Sequence, residues 1–313
     1  MKPIISVIIP CYNTAKYIDK CLDSVLNNTF KNIEIIAIDD GSTDSTYKKL
    51  LKYAEKDNRM VVSTKKNTGQ ANTRNVAIRQ ARGEFIFFLD SDDYIDNDYL
   101  EVLYAKAKKG YDIVSSDIKE VDEEGNVINI ATKIKYSKND AVNYILNNFG
   151  PCCKLIRRKI ITDNNLYFFE DHIYEDIAIV PAWGLYAKKF SYVPNKYYYY
   201  VHRTNSTMNQ NIYTPKFEDL FHSLGNLKKA FNNNYNKELE FIFIHHLLHG
   251  ASLRFFKFKK YDMLNKINKC MKEDYPNWNK NEYYKTQGIK YKVVCHLFYK
   301  KRYFLLKLIL KNR

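Results

Sequence analysis

Clusters of carboxylate side chains follow two apolar, strand-like stretches of the sequence. Asp90-Ser91-Asp92-Asp93 comes directly after Glu84 to Leu89, and Asp39-Asp40-Gly41-Ser42 comes after Ile33 to Ile38. Three carboxylates within four residues repel one another unless a cation lies among them. Mg²⁺ and Mn²⁺ prefer oxygen ligands and often take only one or two carboxylates, with water and phosphate oxygens completing the shell. The first cluster therefore predicts a divalent metal that acts as a Lewis acid on a diphosphate.

Each acidic cluster also has a structural interpretation. Asp92, Asp93 and Asp96 lie close before the helix-like stretch Asn97 to Lys109, where they could cap a helix N-terminus. Asp39-Asp40-Gly41-Ser42 could be an ordinary turn between a strand and a helix. Taken alone, either cluster leaves the choice between a ligand site and a turn open.

The elements that position these clusters alternate along the first part of the chain. Short β-branched, nearly all-apolar runs predict buried strands, and apolar residues three and four positions apart predict helices. The predicted strands are Ile4 to Pro10, Ile33 to Ile38, Met60 to Ser63 and Glu84 to Leu89, and the predicted helices are about 15–28, 44–55 and 70–81, the second capped by Ser42 or Asp44. This order predicts an α/β fold with a mostly parallel sheet flanked by helices.

Ligands of such sheets bind beyond the carboxyl ends of the strands. The first predicted strand ends in Pro10-Cys11-Tyr12-Asn13, and the two acidic clusters end two others. We expect these three endings to line one crevice, which favours the ligand-site interpretation of both clusters.

The charge of the chain is unevenly distributed. The 313 residues carry a net charge of +15, and their 45% hydrophobic content is that of a globular rather than a disordered protein. From Thr214 to the end, 21 basic residues face 8 acidic ones, which leaves +2 for the first 213 residues. We therefore predict a larger α/β domain over 1–210 and a basic helical extension over 211–313, and an anionic partner for the extension.

The basic charge is densest at the C-terminal end of the sequence. Residues 290–313 hold eight Lys or Arg and no Asp or Glu, interleaved with aliphatic and aromatic residues. This composition is typical of an amphipathic helix in a membrane interface, where each basic residue contributes about 1 kcal/mol near an anionic surface. A core-packing helix with a solvated basic face is the alternative, and a nucleic-acid surface is disfavoured because no binding module accompanies it.

Targeting and cysteine patterns bound the cellular setting. Met1-Lys2-Pro3 leads directly into a strand-like stretch, so we expect no cleavable signal. A membrane span needs roughly 18 uninterrupted apolar residues, and the sequence has no such window. A cytoplasmic protein, peripheral at the inner face of the cell membrane, is expected. The six cysteines lack a CxxC spacing and are expected to be free thiols.

Five motifs, in their order and spacing, resemble those of the inverting family 2 glycosyltransferases, which have a single Rossmann-like GT-A fold. The motifs are Ser6 to Asn13 (SVIIPCYN), Asp39 to Asp44 (DDGSTD), Asn67-Thr68-Gly69, Arg74-Asn75 and Asp90 to Asp93 (DSDD). The resemblance covers roughly residues 4–205. It implies a GT-A catalytic domain over 1–210, with a nucleotide-binding half of about 1–110 and an acceptor half of about 111–210.

The resemblance also implies an activity. A metal-dependent inverting enzyme of this family would move a hexose or N-acetylhexosamine from a nucleotide-sugar to a hydroxyl of a bacterial surface polysaccharide, lipooligosaccharide or lipid-linked glycan. The alternative is a catalytically inactive protein of the same fold that binds a membrane or a polyanion.

On the nucleotide side, the resemblance assigns four residues. Pro10 and Tyr12, followed by Asn13, would hold the nucleotide base, and Asp40 would bond the edge of uracil. A UDP-sugar donor follows if Asp40 reads uracil, while a guanine or thymine nucleotide stays open.

On the sugar and metal side, the resemblance assigns the acidic motif. Arg74 would lie near the nucleotide, and Asp90 with Ser91 would face the ribose or the sugar. Asp92 would bind Mn²⁺ or Mg²⁺, with Asp93 as a further candidate ligand.

Inversion needs a general base opposite the leaving diphosphate, to take the proton of the acceptor hydroxyl. Asp176 in Tyr174-Glu175-Asp176 resembles the base of the family, with Glu175 as second choice. The pair could instead be an acidic helix N-terminus that complements the macrodipole. Glu170-Asp171-His172 is a competing acidic cluster.

Several later residues complete the set of candidates. In His202-Arg203, histidine is suited to a metal and arginine to diphosphate oxygens, as in the resembling family, although a solvated basic strand end is the alternative. Lys154 resembles a recurrent lysine of the family without a defined role. His245, His246 and His249 lack an acidic partner nearby in sequence, so we expect them to pack rather than bind a metal.

Overall fold

The computed structural model describes residues 2–147, 150–170, 172–203 and 212–310. The strands in these ranges are β1 Ile5–Cys11, β2 Ile33–Asp39, β3 Met60–Thr64, β4 Phe85–Phe88, β5 Tyr94–Ile95, β6 Ile113–Val121, β7 Val127–Ala131, β8 Lys154–Arg157 and β9 Phe190–Val201. The α-helices up to the tyrosine-rich strand β9 are α1 Ile18–Leu26, α2 Thr46–Ala54, α3 Gln70–Gln80, α4 Tyr99–Ala107, α5 Asp140–Leu146, α6 Arg158–Thr162 and α7 Glu175–Trp183.

The remainder of the described chain is helical. Its α-helices are α8 Asp219–Phe231, α9 Asn236–Phe243, α10 Ser252–Lys257, α11 Tyr261–Asp274, α12 Glu282–Lys285, α13 Ile289–Tyr299 and α14 Tyr303–Leu310. Short 3-10 helices cover Pro215–Glu218 and Trp278–Lys280, and a π-helix, Ile244–Ala251, joins α9 to α10.

The sheet has the strand order β3-β2-β1-β4-β8-β6-β9-β5, and β7 pairs with β6 beside this path. The four strands on the β3 side are mutually parallel, as their apolar runs predict. Beyond β4 the sheet is mixed, because β8 runs antiparallel to both β4 and β6 while β6 and β9 are parallel. The carboxyl ends of β1, β2 and β4 consequently lie at one edge of the sheet.

The core explains why these segments form a sheet. All seven residues of β1 and all seven of β2 are buried, since helices cover both faces. Helix α1 packs on one face through Ile18, Cys21, Leu22 and Val25, which recur at helical spacing. Full burial of an aliphatic side chain contributes about 1.5–3 kcal/mol, so this seam holds the strand ends in place.

Three predicted elements differ from the structure in ways that bear on the site or the tail. The tyrosine-rich run Lys196 to Val201 predicts a final strand, but the observed strand β9 begins at Phe190, and a register shift opposite Ser116 accommodates Asn195 at φ 59°. The apolar pattern of Ile177 to Ala187 predicts a helix, and the observed helix α7 begins two residues earlier, at Glu175. The tail forms two helices rather than one, because Lys301 adopts φ 54°, a left-handed conformation that interrupts a helix.

The chain divides into two compact units. The first contains residues 1–210 and 215–227, and the second contains 211–214 and 228–313. In the second unit, the rings of His249 and Tyr291 stack with centroids 4.2 Å apart, and His245 stacks beside them. The six cysteines are free thiols. Within the described ranges, no helix has both the length and the apolar character to cross a bilayer.

Candidate active site

The loops that follow β1 and β2 are joined by hydrogen bonds. The Asn13 side-chain oxygen accepts from the Thr43 backbone N–H at 2.8 Å, and the Asn13 N–H donates to Ser42 Oγ at 2.9 Å. Asp44 accepts from the Ala15 N–H at 3.0 Å. Asn13, predicted to lie beside a nucleotide base, therefore joins the loops after β1 and β2.

Tyr12 and Pro10 have different environments at the end of β1. Pro10 is buried and lies opposite Ile38 of β2, so it packs within the sheet. Tyr12 is 48% exposed and projects from the strand end. A half-exposed tyrosine ring offers a flat surface on which a base can stack.

Asp40 is buried and holds the turn before α3. Its two oxygens accept from the backbone N–H groups of Thr68 at 3.0 Å and Gly69 at 2.8 Å, and it forms an ion pair with Lys65. Gly69 adopts φ 90°, a conformation that glycine takes without strain. Asp40 thus connects the end of β2 to the start of α3.

Arg74 joins the two acidic regions of the sequence. Only 3% of this residue is exposed, and its Nη2 donates to Asp90 Oδ1 at 2.8 Å while its Nη1 donates to Glu175 Oε1 at 2.7 Å. Burial lowers the pKa of Arg74, but the charges of Asp90 and Glu175 outweigh it and raise that pKa above its usual value. One guanidinium therefore holds the end of β4 against the start of α7, 85 positions later in sequence.

Two neighbours of Arg74 on α3, Gln70 and Asn72, were not predicted from the sequence, whereas Asn75 belongs to the Arg74-Asn75 motif. Gln70 donates to Asp90 Oδ1 at 3.0 Å, one helical turn before Arg74. Asn72 and Asn75 donate to the two oxygens of Glu170 at 2.7 and 2.8 Å. The sequence did carry an indication of these contacts, because the first half of α3 is rich in polar residues although the helix packs against the sheet.

The hydrogen bonds to Glu170 distinguish the competing cluster Glu170-Asp171-His172 from the Glu175-Asp176 pair. Hydrogen bonds from Asn75 and Asn72 lower the pKa of Glu170, which makes it a weaker base than an ordinary glutamate. His172 lies 3.9 Å from Asp219 and stacks on His222. Asp171 lies outside the described residues.

Ser91 and Asp93 have mainly internal contacts. The Tyr198 hydroxyl donates to Asp93 Oδ2 at 2.6 Å, and the Val201 N–H donates to Asp93 Oδ1 at 2.8 Å. Burial, then the charges of Asp92 and Asp90, raise the pKa of Asp93. Ser91 is buried, and its hydroxyl interacts with the Cys11 thiol. Asp93 thus fixes β9 to the acidic motif and has both oxygens engaged.

Asp92 faces Arg203. The Arg203 Nε lies 2.6 Å from Asp92 Oδ2, and its guanidinium lies over the Tyr17 ring at 5.6 Å. Burial and the charge of Asp90 raise the pKa of Asp92 to about 6, although Arg203 lowers it. A carboxylate held under such repulsion favours a neighbouring cation.

The predicted metal ligand His202 contacts a different carboxylate. Its Nε2 lies 2.8 Å from Glu120 Oε2 on β6, and its ring meets Tyr200 edge-on. Across the part of the chain that the structure describes, no three His, Cys, Asp or Glu side chains form a group that could hold a metal ion. The described side chains therefore offer a divalent cation only part of a coordination shell.

Asp176 lies in the first turn of α7, beside Glu175. Burial, followed by the negative charge of Glu175, raises the pKa of Asp176 to about 7. A helix N-terminus alone would lower the pKa of a carboxyl group. Asp176 Oδ1 also accepts the Ile177 backbone N–H at 2.8 Å, a contact typical of a helix N-terminus. A pKa near 7 is suited to proton transfer near neutral pH.

Lys154 acquires a structural role. Its buried ammonium donates to the carbonyl oxygens of Gly150 at 2.6 Å and Cys152 at 3.3 Å. Burial and the charge of Asp90 raise the pKa of the Cys152 thiol, which places this loop beside the acidic motif. Lys154 holds a loop that borders the site.

The structure thus brings together the residues predicted from distant parts of the sequence. Arg74 forms ion pairs with both Asp90 and Glu175. Asp92 is two residues after Asp90 and pairs with Arg203, and Asp176 directly follows Glu175. Tyr12 and Asp40 follow the neighbouring strands. Arg74 thus links the acidic motif, which includes Asp92, to the start of α7, which includes Asp176.

Comparison with known proteins identifies relatives in sequence. The profile of a family described as "Glycosyl transferase family 2" matches residues 6–164. The chain is 32% identical over 224 residues to glycosyltransferase GlyG of Streptococcus pneumoniae serotype 4, covering 66% of this chain and 74% of GlyG. It is 33% identical over 213 residues to the poly(ribitol-phosphate) beta-N-acetylglucosaminyltransferase TarS of Staphylococcus aureus, covering 62% of this chain and 35% of TarS.

Comparison of structures extends the likeness beyond the matched sequence. The crystal structure of S. aureus TarS 1–349 in complex with UDP-GlcNAc superposes with a TM-score of 0.74 and 24% identity. The match covers 95% of this chain and 92% of the TarS chain. It confirms the predicted α/β fold of GT-A type with a helical C-terminal region.

Proposed function

This chain belongs to glycosyl transferase family 2 and is a glycosyltransferase, and from that premise we propose that it transfers a sugar from a UDP-sugar to a hydroxyl of a bacterial surface glycan. UDP-GlcNAc in the related TarS crystal structure supports a UDP-linked hexose or N-acetylhexosamine. The poly(ribitol-phosphate) named for TarS supports a surface-glycan acceptor.

The observation that carries this proposal is the Arg74 bridge. It joins Asp90 of the acidic motif to Glu175, whose neighbour Asp176 has a pKa raised to about 7 by burial and by Glu175. A donor held at Asp90 and Asp92 would therefore lie beside a base suited to neutral pH.

The proposed reaction is a single displacement at the anomeric carbon. Asp176 accepts the proton of the acceptor hydroxyl while the hydroxyl oxygen forms a bond to the anomeric carbon. The bond between that carbon and the diphosphate oxygen breaks, and its electron pair leaves with UDP. Attack from the side opposite the diphosphate inverts the configuration. Holding both reactants in line lowers the barrier because their orientation is fixed before the chemical step.

We propose that a divalent cation binds at the acidic motif. Asp92 would hold Mn²⁺ or Mg²⁺, with Asp90 near enough to raise its pKa, and the diphosphate and water would supply the other oxygens. When bound, the cation neutralises the negative charge of the diphosphate. Arg203, now on Asp92, would then be free to bond phosphate oxygens in a fork.

The other candidate residues have secondary roles in the proposed binding of the cation and the nucleotide. His202 would have to leave Glu120 to join the cation, and Asp93 would support the motif from β9. Tyr12 would stack on uracil, while Asp40 would share its oxygens between the base and the turn before α3. We also propose peripheral contact with an anionic membrane.

A thermal-shift series tests the donor and the cation together. Ligands that bind only the native state stabilise it, by about 2.7 kcal/mol at a concentration of 100 Kd. We expect UDP and UDP-sugars to raise the melting temperature more than GDP or dTDP, and Mn²⁺ to increase the shift.

Asp92→Asn should remove the contribution of Mn²⁺ to that shift, while Asp163→Asn, an exposed control outside the site, should keep it. A shift by GDP alone would contradict the uracil assignment. A full Mn²⁺-dependent shift in Asp92→Asn would contradict the metal assignment.

A further inference from the structure

Helix α14 exposes an apolar face. Phe304 is 74% exposed, Leu305 46% and Leu308 52%. At 100° per residue these three side chains lie within about a third of the helix circumference. Three large apolar residues on one exposed face form a surface that favours an apolar environment.

The opposite face of α14 attaches the helix to its own unit. Leu306 is fully buried. The Tyr303 ring packs against the rings of Phe256 and Tyr261, with centroid distances of 5.9 and 5.5 Å. The exposed face therefore belongs to a docked helix rather than to a loose chain segment.

Basic side chains surround the apolar face. Lys300, Lys301 and Arg302 form the exposed turn that leads into α14, and Lys307 is exposed within it. From Ile289 to Leu310 the sequence has six Lys or Arg and no Asp or Glu. The basic residues of this segment therefore have no acidic partner within the segment itself.

We infer that the α14 surface, meaning helix α14 with the turn 300–302, binds an anionic lipid bilayer in the plane of the interface. Phe304, Leu305 and Leu308 enter the boundary between headgroups and acyl chains, and the basic residues contact lipid phosphates. The eight residues of α14 span about 12 Å, far short of the roughly 30 Å hydrocarbon core, so the helix lies on the membrane.

Charge selects this occupant over a second copy of the chain. Two copies meeting through the α14 surface would place like positive charges against one another, which opposes association. An anionic bilayer complements the charge and accepts the apolar residues at once. The inference deepens the proposed membrane contact and is independent of sugar transfer.

Vesicle co-sedimentation tests the apolar part. We expect wild type to bind vesicles of 30% phosphatidylglycerol in phosphatidylcholine, and the double variant Phe304→Asp/Leu308→Asp to bind at least tenfold more weakly. Both positions are exposed, so folding should survive. The matched control, Ile128→Asp/Ile130→Asp, replaces exposed residues of β7 and should bind as wild type does.

A second pair of variants tests the charged part. Lys300→Gln/Lys301→Gln/Arg302→Gln should weaken binding at least tenfold, and Lys106→Gln/Lys108→Gln/Lys109→Gln, with the same loss of three exposed charges, should not. Binding should also fall as salt rises.

Equal binding to pure phosphatidylcholine, or undiminished binding by the Phe304→Asp/Leu308→Asp protein, would overturn the inference. The inference would also be overturned if the wild-type protein self-associated without binding vesicles and the Phe304→Asp/Leu308→Asp variant did not self-associate. The thermal shift with UDP should be the same in every variant, so a missing shift with intact vesicle binding would count against the donor assignment alone.

Discussion

Asp176 and Glu170 have pKa values that are shifted in opposite directions. Glu170 is hydrogen-bonded by two amides and Glu175 is paired with Arg74, whereas burial and Glu175 raise the pKa of Asp176 to about 7. A carboxylate that binds a proton near neutral pH can accept one from a hydroxyl and release it again.

Replacing Asp176 by Asn should remove the base while keeping the shape of the side chain. We expect kcat to fall by about 10²- to 10⁴-fold, the usual contribution of a general base. The thermal shift with UDP should remain, since the donor contacts lie elsewhere. Asp163→Asn is the control, and wild-type turnover in Asp176→Asn would reassign the base.

The pH dependence of the wild-type enzyme gives a separate test of Asp176. Because the base acts only when deprotonated and its pKa is raised to about 7, kcat/KM should rise with pH up to about 7 and then level off. Below that pH the rate should fall about tenfold per unit. A rate that is flat from pH 5 to 8 would be inconsistent with Asp176 as the base.

Arg74 should matter for stability as well as activity. Removing one partner of a buried ion pair leaves an uncompensated charge and costs about 3–5 kcal/mol. We expect Arg74→Met to lower the free energy of unfolding by about this amount, because Asp90 and Glu175 lose their shared cation.

Lys237→Met, which breaks an exposed pair with Glu282, should cost at most about 1 kcal/mol. Denaturant titration compares the two variants. Equal losses would mean that the Arg74 bridge stabilises the fold no more than a surface pair does.

The sequence indicated Asp92, Asp176 and Arg74 as candidate site residues but not the contacts that Arg74 makes with Asp90 and Glu175. Asp92 and Asp176 are recognisable by type and position, whereas the link through Arg74 joins segments far apart in the chain. Gln70 and Asn72 were missed because their partners, Asp90 and Glu170, lie 20 and 98 positions away in the sequence. His202 pairs with Glu120 because β6 and β9 run side by side, a pairing that local sequence does not encode.

At the scale of elements, the turn between α3 and β4 is packed against β1. A Cβ atom on Gly83 would lie 2.6 Å from the Ser6 backbone nitrogen and 2.7 Å from Ser6 Oγ. Ser6 Oγ also accepts the Gly83 N–H and donates to Glu34. These contacts fix the amino ends of β1, β2 and β4 in register.

Gly83→Ala should therefore destabilise the fold by about 1–3 kcal/mol, the usual cost of overpacking. Gly225→Ala is the matched control, because Gly225 is within α8 and a Cβ atom there meets nothing within 4 Å. That change should stabilise the protein by up to about 1 kcal/mol. Thermal unfolding of both variants measures the difference, and a neutral Gly83→Ala would show that β1 can move aside.

The elements that sequence predicted best are those with local signals. Strands β1 to β4 and helices α1 to α3 follow from apolar runs and helical spacing, and their observed bounds differ from the predicted ones by a few residues. The two-residue strand β5 and the exposed strand β7 exist through pairing with β9 and β6, which no local pattern reveals. The tail divides at Lys301 because of a single backbone conformation.

The candidate site residues and the excess positive charge belong to different parts of the chain. The acidic motif, Arg74 and Asp176 belong to the first unit, which includes residues 1–210. The excess positive charge belongs to residues 214–313. Variants of the α14 surface should therefore alter vesicle binding and leave the response to UDP unchanged, as the vesicle experiment measures.

Sugar transfer itself tests most directly whether Asp92 and Asp176 serve one reaction. Wild type, Asp92→Asn, Asp176→Asn and Asp163→Asn would be incubated with UDP-sugars, Mn²⁺ and surface-glycan acceptors, and UDP release and the anomeric configuration of the product measured. We predict UDP release and an inverted linkage with wild type and Asp163→Asn, and a loss of both with the other two variants. Retained configuration, or transfer that survives both Asp92→Asn and Asp176→Asn, would contradict the account.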